Sequence, residues 1–237
     1  ETVDRLEQEK DDITGVVLTS AKKTFFAGGN LTDLQSVTEE TAGEFFAGIE
    51  GIKSQLRRLE QLGKPVVAAI NGAAVGIGAT MTLAMDIRLA SDAARIGFVF
   101  GRLGIVPEAC SSWFLPRLVG LPTALQWTIG AKMVPVAEAH ERGLIQQVVP
   151  KDQVLETAIA VAREMTANSA PVSAALTRQL LWRMAGAPSP LDAHHADSKA
   201  IFYRGQSGDV YEGVMSFLEK RPATYPNTVS EDLPEIF

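Results

Sequence analysis

Up to Pro150 the apolar positions fall in short continuous runs broken by glycine-bearing stretches, whereas beyond it they recur at three- and four-residue spacing. The run GVVLTS, Gly15 to Ser20, is β-branched and uninterrupted, as a parallel strand buried on both faces requires. It follows a charged helix end, Thr2 to Asp12. Between Thr41 and Leu62 the apolar residues Phe45, Phe46, Ile49, Ile52, Leu56, Leu59 and Leu62 line one side of an amphipathic helix. A second strand is predicted over Pro65 to Ile70, then a glycine loop and a helix from about Gly78 to Met85. DIRLAS and ARIGF give short strands around residues 86 to 98, and GLIQQVVP, Gly143 to Pro150, gives another. Gln153 to Asn168, Val172 to Met184, Leu191 to Tyr203 and Asp209 to Lys220 read as helices. Repeated strand, glycine turn and helix predict an α/β core over residues 1–150 with a helical region over 151–237.

The 237 residues are 46% hydrophobic and 21% charged, the balance of a globular chain. A formal net charge of −6 and a pI near 5.2 argue against nucleic acid as a partner, because phosphate binding needs clustered Lys and Arg. Cys110 is the only cysteine, so no disulfide can form within one chain, and a cytoplasmic location is expected. No stretch approaches the ~20 apolar residues of a membrane helix, and no membrane association is expected. His140, His194 and His195 have no metal-ligand spacing around them, so no metal is expected.

Two loops, AGGN after Phe26 and VGIG after Val75, have the form that lets backbone N–H groups approach a charged oxygen. The dinucleotide fingerprint is incomplete, because Met81 stands where its third glycine belongs, and no Lys-Ser/Thr pair follows either loop. Each loop alone is equally well explained as a tight turn. Together they can supply one N–H each to a shared oxygen, which is the requirement of an oxyanion hole.

In GIVPEACSSWFLP, Gly104 to Pro116, a single acid, Glu108, sits among small and apolar residues. It is either a base shielded from water by neighbours such as Phe100, Val106 and Trp113, or a cap for a helix beginning near Cys110. Ser111 and Ser112 have no histidine nearby to activate them and read as helix-start residues.

FFAGGNL, KPVVAAINGAAVGIGATMTLAMDIRLAS, GIVPEACSSWFLPRLVG, AHERGLIQQVVP and EGVMSFLEKRP together resemble the crotonase superfamily of enoyl-CoA hydratases and isomerases over nearly the whole chain. The resemblance implies a crotonase-like spiral of ββα repeats with a C-terminal helical trimerisation region, assembled as a homotrimer or dimer of trimers. It implies an acyl-CoA thioester substrate and no separate cofactor, coenzyme A entering as part of the substrate. The oxyanion donors then fall on the N–H groups of Gly29 and Ile77. Ala27, Asn30 and Leu31 line the coenzyme A groove, Gly76, Phe100 and Pro107 the acyl pocket, and Phe217 and Lys220 match the C-terminal pair that reaches coenzyme A. That family opens with a strand pair before its first helix, whereas this chain opens within what reads as that helix, so either a leading segment with further coenzyme A contacts is expected or this member is shortened.

The two glutamates with which hydratases of that family activate water fall on Thr80 and Phe100, neither of which accepts a proton at neutral pH. PEACSSW is instead similar to the acidic motif of the Δ3,Δ2-enoyl-CoA isomerases, with Glu108 on the acidic position. One suspended carboxylate can take a proton beside the thioester and return it two carbons along, as single-carboxylate isomerisation elsewhere shows. Isomerisation is the expected reaction. The alternatives are hydration or another crotonase-type lyase reaction with Glu108 acting alone, and an acyl-CoA-binding subunit without turnover.

Overall fold

The computed structural model describes residues 2–28 and 61–237, with Thr38, Ser54 and Arg58 between them. The helix expected after Asn30 falls outside the described residues, as does most of that over Thr41 to Leu62; of the latter, Ser54, Arg58 and Gln61 are described and helical, and Leu62 is buried.

Seven short strands form two sheets among the described residues. The first has the order β1-β2-β4-β7, built from β1 (Val16–Leu18), β2 (Val66–Ile70), β4 (Ile87–Ser91) and β7 (Gln147–Val149). The second runs β3-β5-β6, from β3 (Ala74–Val75), β5 (Arg95–Gly97) and β6 (Met133–Pro135). β2 pairs parallel with β4 from Val67↔Ile87 to Ile70↔Ala90, and β4 with β7 through Leu89↔Gln147. β3 pairs parallel with β5, which pairs antiparallel with β6. Successive strand pairs, β2 then β3 and β4 then β5, thus send their first member to one sheet and their second to the other. This is the mixed α/β architecture expected from the repeats. All five residues of β2 are buried, the property its unbroken apolar run predicts.

The four predicted C-terminal helices form as Val154–Thr166, Pro171–Met184, Pro190–Gly205 and Gly208–Glu219. The first helix ends earlier than expected, spanning Thr2–Gln8. The helix expected from Gly78 to Met85 is one α turn, Ile77–Thr80, which tightens into 3-10 geometry over Met81–Ala84. The helix expected near Cys110 forms as Ser111–Val119, whereas helices Leu121–Ile129 and Val136–Glu141 and strand β6 have no periodic signal strong enough to place them.

The described residues group into two compact units, one within Glu1–Val16, Gln61–Pro65 and Ala162–Phe237 and the other within Val17–Glu60 and Val66–Val161. In the second unit Arg88, only 2% exposed, is the second residue of β4. Burial pulls its guanidinium down to about 10. The side chain is stabilised by donating to the carbonyls of Leu144 at 2.8 Å, Met85 at 2.7 Å and Thr82 at 3.1 Å. It thereby fixes the end of the 3-10 turn against the residues leading into β7.

In the first unit Leu176, Ala196, Ala200 and Ile236 form an apolar cluster, and the buried pair Arg204–Asp209 closes at 2.6 Å. On the surface Glu212 accepts from Arg221 at 2.6 and 2.8 Å and from the Thr224 N–H at 2.6 Å. These bonds, with Arg221 the largest cause, hold the Glu212 carboxyl well below its ordinary range, at about 2. A depressed carboxyl contributes stability above its unfolded pKa and loses it as pH falls through the folded value. The melting temperature of Glu212→Gln should therefore lie below that of the native chain near neutral pH. The gap should close as pH falls from about 4.5 toward 2; a gap constant with pH would show that the ion pair contributes nothing.

Candidate active site

The loop ending at Gly28 and the loop at Gly76 lie side by side. The Phe26 N–H donates to the Ala73 carbonyl at 3.1 Å, the Val75 N–H donates to the Phe26 carbonyl at 2.8 Å, and Phe26 bridges Ala74 in parallel register. A Cβ added to Gly76 would lie 3.7 Å from the Cα of Gly28. Gly76 itself has φ 58° and ψ −125°, a backbone state that a side chain would strain, and its N–H is held by the Gly97 carbonyl at 2.9 Å. Chain direction turns there, and Ile77 opens the helix. A first-turn N–H such as that of Ile77 has no acceptor within its own helix. Gly78, the next residue, packs so tightly on Phe26 that an added Cβ would meet the Phe26 carbonyl oxygen and come within 2.7 Å of its Cβ.

Glu108 reaches the same turn from the other side. Its Oε1 accepts from the Thr80 hydroxyl at 2.5 Å, while its Oε2 is buried and, among the described residues, has no hydrogen-bond partner. Thr80 is wholly buried. Two successive residues after Glu108, Ala109 at φ 53° and Cys110 at φ 56°, adopt the left-handed conformation. Such a conformation costs an L-residue on the order of 1–2 kcal/mol, and strain of this kind concentrates where a side chain must be aimed. The strained pair reverses the chain between Glu108 and the helix Ser111–Val119. The Ser111 N–H returns to the Glu108 carbonyl at 3.0 Å, and those of Trp113 and Phe114 bond the Cys110 carbonyl at 2.9 and 3.1 Å. The Glu108 side chain is turned to Thr80 rather than onto the helix it precedes. Ser111 Oγ is a further buried atom with no partner among the described residues.

Of the residues singled out in the sequence, Gly76, Ile77 and Glu108 therefore come together, Ile77 and Glu108 being linked through Thr80. Phe100 is buried in the 3-10 segment Val99–Leu103, and Pro107 is half-buried beside Glu108. Val106, expected to shield the acid, is 79% exposed and does not do so. Ala27 is exposed on the approach to Gly28, and Gly29, Asn30 and Leu31 lie outside the described residues. Phe217 and Lys220 belong to the other compact unit, at the end of the helix Gly208–Glu219. There Phe217 is 82% exposed and Lys220 is an exposed left-handed C-cap. Among the described residues, no three His, Cys, Asp or Glu side chains gather as a metal site would require, and no helix is long and apolar enough to cross a membrane.

In the sequence Thr80 stands out only as the absence of an acid. Its bond to Glu108 was not legible, although the four-residue spacing from Gly76 already placed its hydroxyl over the carbonyl of the loop glycine.

Comparison with known proteins gives the family. The sequence profile of the enoyl-CoA hydratase/isomerase family matches residues 1–228. The chain is 36% identical over 233 residues to enoyl-CoA hydratase ACTT3 of Alternaria alternata, covering 95% of this chain and 75% of that protein. It is 34% identical over 217 residues to 1,2-epoxyphenylacetyl-CoA isomerase of Escherichia coli K12, covering 90% of this chain and 81% of the relative. The crystal structure of an enoyl-CoA hydratase from Polaromonas sp. JS666 superposes with a TM-score of 0.85 at 27% identity, over 94% of this chain and 86% of that one. The chain belongs to the enoyl-CoA hydratase/isomerase family of acyl-CoA enzymes, the crotonase superfamily.

Proposed function

We propose that the protein is a Δ3,Δ2-enoyl-CoA isomerase in which Glu108 is the only proton-transferring group. One observation carries this reading: the acid has one oxygen held by Thr80 and the other buried without a partner among the described residues. A carboxylate so placed can face a substrate carbon. Hydration by the pair of glutamates the family uses would need acids at Thr80 and Phe100. The first is a hydroxyl already committed to Glu108, and the second is a buried phenyl ring.

Glu108 removes a proton from the carbon beside the thioester, and the electron pair moves onto the thioester oxygen. The Ile77 N–H stabilises that charge, with a companion donor assigned by resemblance to Gly29; a single donor of this kind is typically worth about 2.7–4 kcal/mol in the transition state. The carboxylic acid then returns the proton two carbons along, leaving a conjugated thioester. Gly76, Phe100 and Pro107 border the acyl group, and Ala27 lies at the coenzyme A groove.

Hydration is the second reading, and the names of most relatives favour it, ACTT3 among them. It would require Glu108 to activate water alone. Turnover of a 3-enoyl-CoA and a 2-enoyl-CoA, followed side by side by absorbance of the conjugated thioester, separates the two. Rising absorbance from the 3-enoyl compound with a stable 2-enoyl compound is expected; loss of the conjugated compound without isomerisation would overturn the isomerase reading.

A homotrimer or dimer of trimers is part of the proposal. Its support is the exposed apolar face of the helix Gly208–Glu219, formed by Val210, Tyr211, Val214, Phe217 and Leu218. Sedimentation of the chain as three or six copies is the expected outcome.

A further inference from the structure

We propose that Thr80 is a positioning residue for proton transfer: its hydroxyl holds Glu108 by Oε1, so that Oε2 alone takes and returns the proton, and it ties the base to the peptide that carries the Ile77 N–H. This rests on the proton-shuttle reading of Glu108 and deepens it.

The Thr80 hydroxyl has one hydrogen and two acceptors within reach, Glu108 Oε1 at 2.5 Å and the Gly76 carbonyl oxygen at 3.3 Å. The Gly76 oxygen already accepts the N–H groups of Ala79 at 2.9 Å and Thr80 at 3.0 Å. A carboxylate is the stronger acceptor, and 2.5 Å lies in the range of charge-assisted O–H···O⁻ bonds. The hydrogen therefore goes to Glu108. Thr80 is wholly buried, so water does not compete for it. Its β-branched side chain is confined to two first-torsion rotamers in a helix, and the bond to Glu108 selects one of them.

What Thr80 fixes is otherwise free to turn. The terminal torsion of a glutamate is broad and roughly two-fold, so an unheld carboxyl would present either oxygen. No other side chain among the described residues bonds Oε1 or Oε2. Thr80 also stands three residues after Ile77 in the same helical turn, about 4.5 Å along the axis. The side chain that holds the base and the N–H that meets the developing charge are thus parts of one short rigid segment. The segment is secured below by Arg88, which grips the Thr82 and Met85 carbonyls.

In the step itself the bond from hydrogen to the α carbon breaks as the Oε2–H bond forms, and the electron pair goes to the thioester oxygen. In return, the Oε2–H bond breaks as hydrogen joins the γ carbon, and the thioester carbonyl is restored with the double bond conjugated. No further reactant is required. Because Oε2 is buried, the proton it carries is kept from solvent, and the hydrogen arriving at the γ carbon is the one that left the α carbon.

The experiment uses a 3-enoyl-CoA deuterated at the α carbon, with native protein, T80V, T80A, T80S and E108Q. It reads kcat, KM and the share of deuterium found at the γ carbon of the product. Native protein is expected to transfer most of the label internally. T80V should lower kcat about 10- to 100-fold with KM within about twofold, since only orientation in the reacting complex is lost. Label retention should fall as the loosened carboxyl exchanges its proton. T80S, which keeps the hydroxyl, should restore both, and T80A carries the comparison if T80V fails to fold. Native kcat and native label transfer in T80V or T80A, with E108Q inactive, would overturn the role of Thr80 while leaving Glu108 as the base. Absence of isomerisation by the native protein would instead overturn the reading of Glu108 itself.

Discussion

Glu108→Gln should lose isomerisation of a 3-enoyl-CoA by at least ~100-fold while leaving the fold and coenzyme A affinity intact, the loss expected when a general base is removed. The amide has the size of the carboxylate, and its carbonyl oxygen can still accept the Thr80 hydrogen that Oε1 accepts at 2.5 Å. What it cannot do is carry a proton between two carbons. The comparison is therefore one of chemistry rather than packing. Steady-state kinetics should show the loss in kcat, with KM little changed, because an interaction used only in the transition state has been removed. Native activity in this variant would end the single-base reading.

Gly78→Ala should be nearly as damaging without touching any reacting group. The added methyl would strike the Phe26 carbonyl oxygen and come within 2.7 Å of the Phe26 Cβ, and neither is the far end of a flexible side chain. One of the two loops must then move. Phe26 is hydrogen-bonded on both sides to the strand that feeds Gly76, so the displacement passes directly to the Ile77 N–H. A misplacement of about 1 Å at such a donor can cost on the order of 100-fold in rate. Overpacking of this kind also destabilises by roughly 1–3 kcal/mol. The expected outcome is a folded protein with a lowered melting temperature and kcat reduced about 100-fold. A variant with native kcat would show that the approach of Phe26 to Gly78 does not set the position of the loop.

The two variants test different parts of one arrangement. In the proposed reaction Glu108 supplies the proton chemistry, and Gly78 permits the close packing of the loop that carries the Ile77 N–H. Thr80 connects them, being bonded to the first and two residues from the second in the same turn.

Much of this arrangement is written in the order of residues. Unbroken apolar runs such as VVAAI suit a strand buried on both faces, so β2 and β4 were readable as strands of an α/β core, while their pairing came from the structure. Four-residue periodicity did the same for the C-terminal helices, whose observed limits differ from the expected ones by a residue or two. The glycine loops and the acid of PEACSSW were also legible, because only a few residue types permit a tight approach or accept a proton. Tertiary structure decided the rest. The helix after Gly76 tightens into a 3-10 turn, at whose end the buried Arg88 takes the Thr82 and Met85 carbonyls as acceptors. The short helices Leu121–Ile129 and Val136–Glu141 have too few turns for periodicity to declare itself. Val106 faces outward although it is apolar, since the two left-handed residues after Glu108 settle which side chain of that loop is buried. The bond from Thr80 to Glu108 spans 28 residues of sequence. Hydrogen bonds of that kind depend on where two backbones are brought together, which local composition and spacing do not encode.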